Sequence, residues 1–420
     1  MTTRRDILKV GLGSLPVICL GGTMPAFVSR MAMAEPAGRA AVANDNVLVV
    51  VQLSGGNDGL NTIVPVRADP YYKARPVLAI KKDLHKLNDD FSLNGGMTAF
   101  KRLYDEGRLA IVNGCGYPKP NRSHFESMAI WHAGDPANAG ANGGWVGHYL
   151  DHLRRGTTAP NAVPAGDAMQ AINIGSELPQ ALVTDGAPAP SIQSFEDFSV
   201  RVLGRAGGNE KLERKIIEQM NQPTDANPTL AFLSRQATNA IVSSDQIIKV
   251  AGGYQAAVEY PQGLGQRLKL IAQIINGNFG TKVFYCEVGG FDTHASQMQQ
   301  HDRLLKEVSD SIAAFTADMA AKGYGDKVTV MCFSEFGRRV AQNDSNGTDH
   351  GAAGPMFLVG GKVKGGLHGA MPSLEKDKLD DGDLRYTTDF RRVYASLLDN
   401  WLNSDSTAVL RSKFEPLAVI

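Results

Sequence analysis

Side chains that bind divalent metals follow several separate apolar segments of this sequence: they are Asp58, Asp292, His294, Glu335 and His350. Carboxylate and imidazole together suit zinc, manganese or iron, whereas carboxylates alone suit magnesium or calcium. Two such ions at roughly 4 Å separation polarise a phosphoryl or sulfuryl oxygen and activate a nucleophile. The pattern predicts a site for divalent metal ions, with zinc or manganese preferred and calcium, magnesium or iron as alternatives.

Ser123 is the candidate nucleophile. It lies at the start of a predicted helix, where backbone N–H groups and the positive end of the helix dipole favour an alkoxide or an oxyanion. Arg122 precedes it and could hold an anion. Ser123 and Glu126 also form a capping-box pattern, so a helix cap is the structural alternative, and the two roles are compatible.

Each candidate ligand also has a structural interpretation. Asp58 lies in a turn-forming stretch of glycine and asparagine, and Glu335 could simply pair with Arg338. His294 alone could be a hydrogen-bonded structural histidine. The joint pattern is harder to explain by coincidence than any single member. His301 is expected on a helix surface, with use as a spare ligand as the alternative.

The apolar segments that precede these residues are predicted strands. Residues 47–53 form an almost unbroken apolar run that ends in glycines, as in a strand buried on both faces of a parallel sheet. Further strands are predicted at residues 108–115, 171–175, 282–288, 327–333 and 355–359. Helices are predicted at residues 97–106, 123–132, 145–154, 268–275 and 390–401, with a longer helix before the strand at 327–333. This alternation predicts an α/β fold: a mainly parallel sheet with helices on both faces.

The strands also explain how distant residues could meet. In open α/β sheets, ligands bind beyond the carboxyl ends of the strands. We expect residues 46–420 to form one such domain after a flexible lead-in at 35–45, with residues 191–257 as a helical insert or lid.

Composition excludes some classes of protein. Lys and Arg total 43 and Asp and Glu total 43, so there is no basic footprint for nucleic-acid binding. The four cysteines have no CxxC spacing, and Cys19 lies in the leader, so a disulfide framework is not expected. Cys286 and Cys332 fall inside predicted strands and are expected to act as buried apolar side chains.

The N-terminus resembles a twin-arginine signal peptide over residues 1–34. Arg4 and Arg5 precede a modest apolar region, and residues 32–34 give a small-x-small cleavage pattern. The apolar region is glycine-rich and contains Pro16 and Pro25, which makes it a poor membrane anchor. We therefore expect export by the twin-arginine machinery to the periplasm or the medium.

Five ordered blocks resemble the signature of one family. LSGGNDGLN, NRSHFES, GGFDTH, SEFGRR and GTDHG look like the motifs of the exported proteins grouped as domain of unknown function 1501, over about residues 46–400. That family is similar to the alkaline phosphatase and sulfatase superfamily. The resemblance implies an alkaline phosphatase-like two-metal fold in which a hydroxyl or modified cysteine attacks a phosphate or sulfate ester.

By the same resemblance, the residues take roles. Asp58 looks like the first-strand ligand of one metal, Asp292 with His294 like a ligand pair of the other, and His350 like its late histidine. Glu335 stands where the superfamily has Asp followed by His, and Phe336 replaces that histidine.

Two functions from different classes follow. The first is an exported metal-dependent hydrolase of small phosphate or sulfate esters, with Ser123 as nucleophile. The alternative is a metal-binding, non-catalytic protein that joins a protein partner in an exported assembly, which the missing histidine at Phe336 favours. A metal-free serine hydrolase is a weaker option because GxSxG is absent.

Overall fold

The computed structural model describes residues 45–139, 143–155, 170–184, 189–194 and 252–420. The predicted signal peptide, almost all of the lead-in and most of the predicted insert at 191–257 lie outside the described residues. None of the described helices is long and apolar enough to cross a membrane.

The described strands number twelve in chain order. They are β1 (Val47–Leu53), β2 (Ile63–Pro65), β3 (His85–Lys86), β4 (Phe91–Leu93), β5 (Leu109–Gly116), β6 (Ala171–Ile174), β7 (Ser191–Ile192), β8 (Val283–Val288), β9 (Val328–Phe333), β10 (Gly354–Gly360), β11 (Gly366–His368) and β12 (Thr388–Asp389). The predicted strands all form, with ends that shift by one residue at most. Ser191–Ile192 was expected to open the helical insert and instead forms an edge strand.

The described α-helices are α1 (Gly59–Thr62), α2 (Asp69–Ala74), α3 (Thr98–Asp105), α4 (His124–Ala133), α5 (Trp145–Arg155), α6 (Leu264–Asn276), α7 (Gln297–Ala321), α8 (Phe390–Ser396) and α9 (Ser406–Leu410). Short 3₁₀ turns lie at Gly95–Met97, Pro136–Asn138, Gln180–Leu182 and Lys376–Lys378, and a wider turn at Leu397–Trp401 extends α8. The predicted closing helix therefore spans residues 390–401 as expected, with its last turn wider than an α-helical turn, and α9 follows it.

The main sheet has the order β11-β5-β10-β9-β1-β8-β6-β7, with β12 also paired to β5. Only β10 runs antiparallel to its neighbours in this sheet, and the other described pairings are parallel. The antiparallel strands β2, β4 and β3 form a separate small sheet. The predicted α/β fold, with a mainly parallel sheet and helices, is confirmed.

The sheet is covered on both faces because its central strand is apolar on both faces. Val47, Val49 and Val51 pack into a core with α3, α6 and α7, whereas Leu48 and Val50 pack into a core with α4, α5 and α8. Each of these buried aliphatic side chains stabilises the fold by about 1.5–3 kcal/mol. This is the two-sided burial that the unbroken apolar run predicts.

The cysteines are buried apolar side chains, as expected. Cys115, Cys286 and Cys332 are free and buried. Burial raises the pKa of the Cys286 thiol to about 12, so this side chain is unreactive at neutral pH.

Candidate metal centre

The candidate centre lies where three neighbouring strands end. β9, β1 and β8 are adjacent in the sheet and parallel, so their carboxyl ends open onto one edge. Glu335 follows β9 and Asp292 follows β8, while the glycine loop at Gly55 follows β1. The sheet order therefore brings together residues that are far apart in the sequence.

Three side chains form the tightest group. One possible ligand atom from each of His124, Asp292 and His350 lies within 4.8 Å of the others. Nε2 of His350 is 3.1 Å from Oδ1 of Asp292, and Nε2 of His124 is 3.5 Å from Oδ2 of the same carboxylate. His294 joins them, with its Nε2 at 3.0 Å from Oδ1 of Asp292.

The outer nitrogens of two rings fix their tautomers. Nδ1 of His350 lies 2.8 Å from the carbonyl oxygen of Arg122, which can only accept a hydrogen bond, so Nδ1 carries the proton. Nδ1 of His294 lies 3.1 Å from Oδ1 of Asp349. A hydrogen bond from Asn343 and the contact with His294 lower the pKa of Asp349, so its carboxylate is ionised and also accepts. Each neutral ring therefore presents a lone pair at Nε2.

These two lone pairs face each other. Nε2 of His294 and Nε2 of His350 are 2.9 Å apart. Two unprotonated nitrogens at this distance repel unless a proton or a cation lies between them. Burial lowers the pKa of His350, which disfavours the proton on that ring.

His124 has the same pattern as the other two histidines: its Nδ1 faces an acceptor, and its Nε2 faces the cluster. Its Nδ1 lies 2.8 Å from Oε1 of Glu335, and its Nε2 is buried with no hydrogen-bond partner in the described part of the chain. Glu335 is almost fully buried and also accepts from the backbone N–H of Gly55 at 2.8 Å. The hydrogen bond to Glu335 raises the pKa of His124. A carboxylate behind an imidazole is the usual second layer of a metal ligand.

The donor set fits a divalent transition metal. Zinc, manganese and iron bind imidazole nitrogens and carboxylate oxygens, and the centre offers three of the former and one carboxylate. A hydrogen bond with a neighbouring residue orients each of these four side chains. Burial alone would raise the pKa of Asp292, but the hydrogen bond from Arg338 is the main cause that outweighs it and brings the pKa to about 2. Asp292 is therefore ionised and able to act as a ligand at neutral pH.

The structure does not bring Asp58 into this group. Its carboxylate is fully buried and pairs with Arg75 at 2.6 Å. It also accepts from Gln297 and from the backbone N–H groups of Leu60 and Asn61, so it caps α1. Its oxygens are all engaged within the protein, which leaves no lone pair directed at the cluster.

Glu335 is placed behind a ligand rather than at the cluster. Its Oε1 faces Nδ1 of His124, and its Oε2 accepts from Ser334 at 3.0 Å. Glu335 therefore lies behind His124 and does not itself reach the cluster. His301 is not on a helix surface as expected: it is 1% exposed and contacts Asn57 at 2.9 Å.

Ser123 is exposed beside the cluster. It caps α4 by its backbone position, but its side chain makes no capping hydrogen bond, so the predicted capping box does not form. Its two neighbours both reach the centre, Arg122 through its carbonyl oxygen and His124 through its ring. Ser123 is thus an exposed residue between two residues that contact the cluster.

Arg122 contributes its backbone, not its charge. Its guanidinium pairs with Asp383 at 2.7 Å and with Asp381 at 3.2 Å. The predicted clamp on an anion would require these ion pairs to open. Ser123 is therefore exposed, whereas the guanidinium of Arg122 is already occupied by two carboxylates.

A cleft of ≈ 450 Å³ opens beside the cluster. Its lining includes His124, Asp292 and Glu335 at one end, with Phe125 and Met128 along α4. Phe125 is 88% exposed, which is unusual for a large apolar side chain. The cleft gives a ligand at the cluster room for a further organic group.

The sequence did not identify two residues of the centre, His124 and Arg338, nor the buried Arg75 that pairs with Asp58 outside the centre. His124 directly follows Ser123 in the NRSHFES block, and its position beside the candidate nucleophile was an available signal. Arg338 was considered only as a partner for Glu335, and Arg75 was not considered. No local pattern marks a buried arginine before its carboxylate partner is known.

Comparison with known proteins gives one family and several solved structures. The family described as "Protein of unknown function (DUF1501)" matches residues 45–409. The chain is similar to the PsFucS1 sulfatase from Pseudoalteromonas sp., at 13% identity over 87% of this chain and 75% of that chain, with a TM-score of 0.36. It is also similar to the lipoteichoic acid synthase LtaP from Listeria monocytogenes, at 9% identity over 81% and 72%, with a TM-score of 0.34.

A third similar structure is a protein in the alkaline phosphatase superfamily from Vibrio parahaemolyticus, at 8% identity over 83% of this chain and 71% of that chain, with a TM-score of 0.33. No curated protein matches the chain. At these identities and TM-scores, the likenesses assign neither an activity nor a site residue to this chain.

Proposed function

This chain belongs to the DUF1501 family of proteins of unknown function, and from its candidate centre we propose that it is an exported, metal-dependent hydrolase of phosphate or sulfate esters. The observation that carries the proposal is the 2.9 Å approach of the two Nε2 atoms of His294 and His350, whose outer nitrogens both face acceptors. A bound cation removes that repulsion.

The proposed ligands are His124, Asp292, His294 and His350. A divalent ion bound there would supply positive charge that polarises an ester oxygen and favours the ionised form of a nearby hydroxyl. Zinc or manganese suits this nitrogen-rich set.

The remaining roles fall to residues around the ligands. Ser123 would attack phosphorus or sulfur through Oγ, forming the serine ester while the alcohol leaves, and water would then hydrolyse that ester. The backbone N–H groups at the start of α4 would stabilise the developing negative charge. Glu335 and Asp349 hold the rings of His124 and His294 in place.

The leaving group would occupy the cleft along α4. Phe125 and Met128 offer it an apolar wall, since both line the cleft beside His124. A substrate of this site is thus a small anionic ester with an organic group large enough to contact that wall.

Turnover of 4-nitrophenyl phosphate and 4-nitrophenyl sulfate by the zinc- or manganese-loaded chain tests the proposal. The wild type should release nitrophenol, and Ser123→Ala should not, although it still binds metal. The matched control is Ser412→Ala, because Ser412 is also an exposed serine and follows α9, outside the strand ends that form the centre. Equal turnover by wild type and Ser123→Ala would rule out the serine mechanism.

The second candidate is a metal-binding, non-catalytic protein of an exported assembly. The engagement of the Arg122 guanidinium by Asp381 and Asp383 favours it, since these ion pairs keep that guanidinium from holding an anion beside Ser123. Under this alternative the chain binds metal at the same ligands, and neither ester is hydrolysed with any of the metals.

A further inference from the structure

Arg338 is a fully buried cation beside the candidate ligands. Its side chain is 0% exposed, and its Nη2 donates to Oδ1 of Asp292 at 2.7 Å. Nη1 lies 3.5 Å from Nε2 of His294. One carboxylate oxygen is therefore shared between a permanent guanidinium charge and the histidine cluster.

The other acceptors of this guanidinium are backbone carbonyl oxygens. Nε donates to Gly56 at 2.8 Å, Nη1 donates to Thr348 at 2.8 Å, and Nη2 donates to Phe291 at 3.0 Å and to Gly55. With Asp292, this makes a cage of five oxygens from the loops after β1, β8 and β9. Carbonyl and carboxylate oxygens are also the atoms that calcium or magnesium bind, so the guanidinium occupies acceptors of a type that such a cation uses.

The carboxylate expected to hold a second metal is neutralised in the same way. Asp58 pairs with Arg75 at 2.6 Å, and both side chains are 0% exposed. Arg75 also donates to the carbonyl oxygens of Val340 and Arg339, which fixes it in place. Two of the three carboxylates that were predicted as metal ligands are therefore already compensated by buried arginines.

We infer that Arg338 takes the place of the second cation, so that the centre holds one metal ion per chain. This inference rests on the proposed metal site and refines it. Arg338 is a positioning residue: it fixes the loops that carry Asp292 and His294, and its charge opposes a second dication in the same space. Its backbone also bridges to that of His350, which aligns the late histidine with the others.

Metal stoichiometry tests the inference without any substrate. The full chain, stripped with a chelator and loaded with excess Zn²⁺, should retain one ion per chain by elemental analysis. Two ions per chain would overturn the one-metal inference and leave the proposed function intact. No retained ion, with Zn²⁺, Mn²⁺ or Fe²⁺, would overturn the proposed function itself.

Arg338→Lys tests the positioning role. It keeps the charge but loses the planar fork that reaches several carbonyls at once. We expect it to bind one ion with an affinity about 10- to 100-fold weaker than wild type, as for other residues that orient metal ligands. The matched control is Arg75→Lys, which alters the other buried pair and should leave zinc affinity unchanged. Wild-type affinity in folded Arg338→Lys would refute the positioning role, and the wild-type ion count remains decisive if that variant does not fold.

Discussion

The carbonyl oxygen of Arg122 lies 2.8 Å from Nδ1 of His350, and this contact joins the serine segment to the late histidine loop. It fixes the tautomer of His350 so that Nε2 turns a lone pair toward Asp292. The residue before the candidate nucleophile thus orients a candidate ligand, while the residue after it, His124, supplies another.

Removing a ligand should weaken metal binding and remove metal-dependent stability. Asp292→Ala and His350→Ala should each shrink the fall in melting temperature that a chelator causes, because a bound ion stabilises only the folded chain. Thermal unfolding with and without chelator measures this. His368→Ala is the control, since His368 lies on the edge strand β11 and its ring contacts the backbone carbonyl oxygen of Lys364. A full chelator effect in His350→Ala would contradict its role as ligand.

Glu335→Gln should act through His124. The amide keeps the shape of the side chain but loses the charge that holds Nδ1–H, so zinc affinity should fall about 10- to 100-fold. Competition with a zinc-binding dye gives the affinity, and circular dichroism checks that the fold is retained. Unchanged affinity in the folded variant would mean that His124 is not a ligand or does not depend on Glu335.

Ser123→Ala should hardly change stability. An N-cap side chain contributes about 1 kcal/mol when it accepts a backbone hydrogen bond, and Ser123 makes no such bond. We expect a loss below about 0.5 kcal/mol in urea unfolding, as for an ordinary surface substitution. Asp389→Ala is the comparison, because Asp389 does cap α8 through its side chain. A cost of about 1 kcal/mol or more for Ser123→Ala would indicate that the serine caps the helix in solution.

The buried Asp58 and Arg75 pair should matter strongly for folding. Asp58→Asn leaves the guanidinium of Arg75 buried without its partner, and such a change costs about 3–5 kcal/mol. The control is Asp90→Asn, in an exposed pair with Arg67 where the expected cost is about 0–1 kcal/mol. Equal, small costs in urea unfolding would show that Asp58 is not held as the structure has it.

The same pair predicts a pH dependence. Burial alone would raise the pKa of Asp58, but Arg75 outweighs it and the pKa lies below its ordinary value of 3.8. Because the folded-state pKa is the lower one, the stabilisation is complete above about pH 5 and is lost as the pH falls through the folded-state pKa. The difference in unfolding free energy between wild type and Asp58→Asn should therefore be constant above that pH and shrink in acid. If this difference in unfolding free energy grew in acid instead, the folded-state pKa of Asp58 would be raised rather than lowered.

Export is a separate prediction from residues outside the described structure. Replacing Arg4 and Arg5 with lysines should leave unprocessed precursor in the cytoplasm, which immunoblotting of cell fractions would detect. Normal processing of that variant would remove the twin-arginine interpretation.

The sheet was predictable because its signal is local. Residues 47–51 are apolar without interruption. In a strand, such a run puts apolar side chains on both faces, so both faces must be buried. The glycine loops that follow β1 and β8 marked where ligands could lie. Asp292, His294 and His350 could be grouped in advance for the same reason, since parallel strands share one edge.

The rest depended on partners that the sequence does not reveal. Asp58 has the residue type and position of a ligand, but Arg75 and Gln297 from distant segments fill its lone pairs. Glu335 was expected at the cluster, but His124, which had no predicted role, lies there instead, because the carboxylate is buried behind its ring. Packing decides which of two neighbouring polar residues faces the cluster. The spacing of residues in the sequence does not carry that information.

Anomalous diffraction at the zinc absorption edge, from crystals of the zinc-loaded chain, would locate the proposed ion. The proposed centre predicts one peak per chain, among Nε2 of His124, His294 and His350 and the carboxylate of Asp292, at zinc–nitrogen distances of about 2.0–2.1 Å. A peak at Asp58, or no peak among the three histidines, would contradict it.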